Sequence, residues 1–236
     1  VAATTFTLAD DLEPLVLIGG VAAFAAAALT VAWLVVMVTM RSPQAGSTAD
    51  EELAFIAAND GAQIAKFLPT TLVAFAYVPT WLGLGVLLWE EAPAAGGLAV
   101  AFGLLYPATT ATGYWMQYTV VRGLAGLAAT DEVAARSAYE IVGFHDRPTS
   151  MGASAVVLGY TLWSFGGVAA GVGLVAHGGG HAVTTGVLFL VTAALMFLGV
   201  IGHIARNRVL NLGIFLSGVT SLGATIATAL LLISQV

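Results

Sequence analysis

The sequence predicts an all-α integral membrane protein: a bundle of six transmembrane helices with two short amphipathic helices at the membrane interface. Three observations carry this. Of its 236 residues, 59% are hydrophobic and 8% charged, whereas soluble domains carry about 25% charged residues. The apolar residues gather in six stretches, each long enough to meet the roughly 20 residues a bilayer crossing requires. All seven Lys and Arg residues fall in or beside alternate connections between those stretches.

The expected spans form one domain and cover about 14–40, 62–89, 96–121, 151–176, 182–205 and 209–235. No Asp or Glu lies inside any of them. After the first span, Thr48-Ala49-Asp50-Glu51 has the capping-box pattern, in which hydroxyl and carboxylate each accept from the other's backbone N–H. It marks the start of a short surface helix. The second span holds Lys66, the only lysine, which can reach the interface from one turn inside. It also holds Pro69 and Pro79, which bend a helix and free carbonyls. After the third span, Thr130-Asp131-Glu132 precedes Ala134, Ala138 and Ile141 at helical spacing. That segment reads as a second surface helix or an extension of the third span.

Arg41 and Lys66 flank the first connection, Arg122, Arg136 and Arg147 lie in the third, and Arg206 and Arg208 form the fifth. The other side carries Asp10, Asp11, Glu13, Glu90, Glu91, His177 and His181. Counting Lys and Arg, as the positive-inside rule requires, makes the odd connections cytoplasmic and puts both termini outside a cell (plasma) membrane. Three spans on each side of the long third connection would enter with opposite polarity, as in inverted-repeat transporters. The two halves share little beyond small-residue composition.

Charge and residue types narrow the function. A net charge of −6 supplies no basic surface for nucleic acid or for anionic lipid headgroups. The absence of cysteine removes disulfides, thiolate metal sites and cysteine nucleophiles. Ion-coupled transport rests on ionisable groups inside the membrane, and only Lys66 and His203 come near. His177-Gly-Gly-Gly-His181 has a metal-ligand spacing, but three glycines disfavour the helix that would align the imidazoles. The sequence therefore assigns no catalytic residue, no metal ligand and no cofactor.

What remains is an uncharged polar face. At 100° per residue, Tyr106, Thr109, Thr110, Gly113 and Gln117 share one side of the third span. Leu104, Ala108, Ala111 and Trp115 share the opposite, lipid-facing side, and Tyr118 and Arg122 act as interface anchors. On the second span, Lys66, Thr70, Tyr77, Thr80 and Trp81 align, and on the fourth Tyr160, Ser164, Gly167 and Gly171 do so. One interpretation is interhelical hydrogen bonding, worth about 0.6 kcal/mol per contact. The other is a site in which Tyr77, Tyr106, Thr109, Thr110, Gln117 and Tyr160 bind an uncharged or amphipathic ligand. Gln117 discriminates between them, because a buried amide needs several partners.

Gly167-x-x-x-Gly171 and the Gly213/Ser217/Ser221/Thr225 stripe let helix backbones approach, within the bundle or between protomers of a homo-oligomer. The expected function is an accessory or scaffold subunit that packs with a partner complex and holds a lipid or apolar ligand. The alternatives are a channel or facilitator for a small neutral solute and an intramembrane enzyme acting on a lipid.

Overall fold

In a computed structural model the described residues are 8–40, 48–142 and 150–236, with side chains described from Leu12 onward and that of Ala49 excepted. Arg41 and Arg147 of the charge count lie outside them. The elements are α1 (Leu8–Thr39), α2 (Ala49–Ala58), α3 (Asp60–Leu88), α4 (Pro93–Met116), a π-helical turn (Gln117–Val121), α5 (Arg122–Leu127), α6 (Glu132–Ile141), α7 (Met151–His177), α8 (Gly180–Ile204) and α9 (Arg208–Ile233). Six of the resulting segments are long and apolar enough to cross a membrane: Leu12–Thr39, Asp60–Leu88, Pro93–Leu127, Met151–His177, Gly180–Ile204 and Arg208–Ile233. The chain is an all-α membrane bundle.

Burial is arranged for lipid rather than water. Val35, Phe75, Leu105, Phe215 and many other large apolar side chains are exposed, while Thr71, Thr80, Thr110, Gln117, Ser164, Thr192, Ser217 and Thr228 are buried. A soluble monomer does not carry apolar surface on this scale. Inside, threonines close hydrogen bonds on their own helix, as Thr71 does on the Phe67 carbonyl and Thr228 on that of Ala224.

Two compact units are present, each drawing residues from both sequence halves. The first comprises the described residues of Val1–Ala27, Ala76–Tyr106 and Thr161–Val236; the second comprises those of Ala28–Phe75 and Pro107–Tyr160.

In the first unit, close approach is set by glycines. A methyl at Gly19 would stand 2.8 Å from the Pro79 carbonyl, and one at Gly186 2.8 Å from that of Gly171. The α8–α9 hairpin is the tightest, with Gly199, Gly202 and Gly213 pressed against backbone atoms of the facing helix. Its turn is a Schellman motif: Asn207 N–H donates to the Gly202 carbonyl and Arg206 N–H to that of His203. Such turns place one residue in the left-handed region, usually glycine. Here it is Arg206, at φ 54°, a conformation costing about 1–2 kcal/mol for an L side chain. Asn207 then caps α9, its side chain accepting from the Val209 and Leu210 N–H groups.

In the second unit, α2 and α6 fold back onto the end of the third span. Leu53 and Ile56 of α2, Val121 and Ala125 of the span, and Ala138 and Val142 from α6 and its end form a small apolar core. The third span therefore does extend, to Leu127, and α6 is a separate helix after it. Asp131 caps α6 through the Val133 and Ala134 N–H groups.

The capping box at Thr48 is formed: Thr48 N–H donates to Glu51 Oε2 at 2.7 Å and Glu51 N–H to Thr48 Oγ1 at 3.3 Å. Hydrogen bonds from the Thr48 backbone, then from its side chain, hold the Glu51 carboxyl below the ordinary glutamate range. A carboxyl lowered by folding stabilises fully above its unfolded pKa, and that stability fades as pH falls through the folded value. Amide exchange across Ala49–Leu53 should accordingly speed up as pH drops below the ordinary glutamate range, after correction for intrinsic rates. Thr48→Ala should remove most of that dependence.

Candidate functional site

The six residues of the polar face fall into two groups, Tyr77 and Tyr106 in the first unit and Thr109, Thr110, Gln117 and Tyr160 in the second. Helices α3 and α4 are antiparallel neighbours in both. Tyr77 meets Tyr106 edge-on with ring centroids 5.7 Å apart, and Gly103 sits under the Trp81 ring. Asp60 pairs with Arg122, Gln63 with Gln117, and Phe67 with Tyr114.

In the first unit the Tyr77 hydroxyl bonds Thr225 Oγ1 at 2.5 Å, and Thr225 donates to the Ser221 carbonyl. Trp81, fully buried, packs against Trp163 and Phe189 with centroids 6.0 and 5.6 Å away.

In the second unit the Tyr160 hydroxyl bonds that of Tyr114 at 2.9 Å. Thr110 is fully buried, its hydroxyl without a partner among the described residues, and Gly159 of α7 is what makes room for it. Gln117 begins the π turn. A π turn widens the ladder and leaves a carbonyl without its α-helical donor, and the Gln117 carbonyl accepts instead from Gln63 Nε2 at 3.2 Å. The Gln117 amide donates to the Ile141 carbonyl at the end of α6, 3.0 Å away, while lying against Gly152. The backbone carbonyl and the side-chain nitrogen of Gln117 are thus both bonded to neighbouring elements.

Four placements differ from expectation. Ala111 is buried, because neighbours enclose more of this helix than its polar stripe. Leu104, Ala108 and Trp115 do face outward. Tyr118 is buried rather than an interface anchor, and its hydroxyl has no partner among the described residues. Lys66 is also buried, its ammonium 5.8 Å from the Phe55 ring centre and attracted by Glu52. Helix α2 covers it. Finally, Gly167 lies against Trp163 of its own helix rather than against a neighbour.

Tyr114 and Gln63 belong to these networks and lie outside the residues the sequence singles out, and Thr225, expected only as part of a packing stripe, bonds Tyr77. Tyr114 is 80° from Tyr106 on the helical wheel, just beyond the edge of the polar stripe. Among the described residues no three His, Asp or Glu side chains group as a metal site. Two open hollows of about 470 and 480 Å³ are lined by His177–Ala182 with Leu231, Ser234 and Gln235, and by Asp50 with Ala128–Glu132 and α6. None of the six residues lines either. Compared with known proteins, the chain matches no family model, no curated protein and no solved structure.

Proposed function

We propose that this chain is a non-catalytic subunit of a membrane assembly, with α1 as the helix that receives a partner membrane protein. The observation that carries this is the poor burial of α1. Only 17% of its most apolar stretch is covered by the rest of the chain, against 39–50% for the other five spans. Its covered side is built of Val16, Gly19, Gly20, Ala23, Ala26 and Ala27; Ile18, Val21, Phe24, Val31 and Val35 remain outside. A partner helix would add van der Waals contact there, the main attraction between helices that share a lipid solvent. Bonds from helix to helix at Tyr77–Thr225, Tyr114–Tyr160 and Gln117–Ile141 support the same view.

The test is photo-crosslinking in native membranes from positions 24 and 35, with position 215 on α9 as the control, followed by purification in mild detergent. A discrete protein adduct from α1, absent from the control, and a stoichiometric co-purifying protein are expected. Lipid adducts alone, with a bare monomer in detergent, would defeat the proposal.

A further inference from the structure

The α8–α9 turn carries more polar chemistry than its fold needs. His203 Nε2 and Asn211 Oδ1 are both shielded from solvent and neither has a hydrogen-bond partner among the described residues. Buried polar atoms are normally satisfied, so a pair of orphans in one hairpin calls for an explanation. The same hairpin holds Arg206 and Arg208, both exposed and the only two Lys or Arg residues after Arg147. No described carboxylate pairs with either arginine in an ion pair.

Arg206 is the more telling of the two. It occupies the left-handed position of the Schellman motif, where glycine is unstrained. A guanidinium held in that conformation gains nothing for the turn itself. Flanking the polar groups, Ile201, Ile204, Val209 and Leu212 are 52–75% exposed, an apolar collar immediately beside two cations. Apolar collar, cations and unsatisfied polar atoms together offer partners for the acyl chain, phosphate and glycerol ester of a phospholipid.

We infer that the α8–α9 turn is a binding site for an anionic phospholipid. Arg206 and Arg208 hold the phosphate, His203 and Asn211 take up headgroup or glycerol oxygens, and the acyl chains lie along Ile201, Ile204, Val209 and Leu212. The Asn211 amide can present either its oxygen or its nitrogen, since the two are assigned by hydrogen bonding. These residues are distinct from the α1 face, and the site stands or falls independently of it.

The experiment uses the full chain in detergent, stripped of lipid and titrated separately with phosphatidylglycerol, phosphatidylcholine and inorganic phosphate. Retained adducts are read by native mass spectrometry and stability by thermal unfolding. Phosphatidylglycerol should leave one preferentially retained adduct and raise Tm; phosphatidylcholine and inorganic phosphate should do neither at equal concentration. Replacing both arginines with glutamine should weaken phosphatidylglycerol retention by about tenfold or more, since each cation near an anionic headgroup contributes about 1 kcal/mol.

Arg206→Gly keeps the test readable. It relieves the left-handed strain, so the lipid-free protein should unfold at a higher temperature while retaining phosphatidylglycerol less well. His203→Leu should likewise leave the lipid-free Tm near its original value and lower retention. A phosphatidylglycerol response unchanged in the double glutamine variant would overturn the proposal. So would an equal response to phosphatidylcholine, and an equal response to inorganic phosphate would show a free-anion site instead of a lipid site.

Discussion

Gly202→Ala should be among the most damaging single-methyl changes in this chain. The added carbon would overlap the Asn211 nitrogen and stand 2.5 Å from the Leu210 carbonyl carbon and 2.8 Å from the Asn211 α-carbon. All three are backbone atoms of α9, so no side chain can rotate aside; the two helices must separate. Separation also pulls on Gly199, which faces the Ile214 nitrogen, and on Gly213, which faces the Leu195 carbonyl. Overpacking of a rigid contact costs about 3 kcal/mol, which corresponds to roughly a hundredfold in the folding equilibrium. Unfolding in a graded denaturing-detergent series would measure it. Gly218→Ala is the matched control on α9, because nothing lies within 4 Å of its added methyl. That variant should be neutral, or stabilised by up to about 1 kcal/mol through helix propensity. Equal stability of the two variants would show that α8 and α9 are not in backbone contact.

This contact illustrates what the sequence could reveal and what it could not. Spans are legible because a bilayer fixes their length and excludes charge, and the Thr48 capping box is legible because its hydrogen bonds are local. Helix contacts are harder to read. Gly167-x-x-x-Gly171 follows the familiar four-residue spacing, yet only Gly171 meets another helix, at the Gly186 carbonyl and Leu190. The working stripe on α7 is spaced by seven. Gly152 faces Gln117 and Gly159 faces Thr110 in the second unit; Gly166 faces Gly103 and Gly173 faces Leu88 and Ala95 in the first. Spacing by seven is the signature of left-handed packing, in which every second turn returns to the seam. With 28 glycines in the chain, that period is hidden among glycines that touch nothing, such as Gly97, Gly218 and Gly223.

The π turn is a second limit. Wheel arithmetic assumes one constant angle, and an inserted residue rotates the remainder of the helix by about 100°. Arg122, beyond the turn, comes to face Asp60. A stripe drawn across Gln117 is sound up to that residue and misleading beyond it. Nothing in Gln117–Val121 itself announces the turn. It is held by two partners distant in sequence, the Gln63 amide and the Ile141 carbonyl.

Trp81→Ala is the other large effect expected. Trp81 is the largest fully buried side chain, touching the Trp163, Phe189 and Tyr77 rings, with its indole nitrogen unpartnered among the described residues. Removing a buried Trp costs about 3–5 kcal/mol in soluble cores. In lipid the hydrophobic transfer part is small, because the unfolded helices are already solvated by hydrocarbon. The lost dispersion contacts remain, and they place the expected cost near the lower end, about 3 kcal/mol. Trp81→Phe retains much of the ring packing and abandons no hydrogen bond, so it should cost about 1 kcal/mol. Gly103 supplies the decisive check. A methyl there would run into the Trp81 ring, so Gly103→Ala alone should destabilise. Combined with Trp81→Ala the same methyl enters vacated space, and the double variant should lose less stability than the two single losses added together. Contacting residues in such cycles couple by about 0.5–3 kcal/mol, whereas distant ones simply add. Strict additivity would therefore place Trp81 elsewhere than over Gly103, and the aromatic packing between α3, α4 and α7 would have to be redrawn.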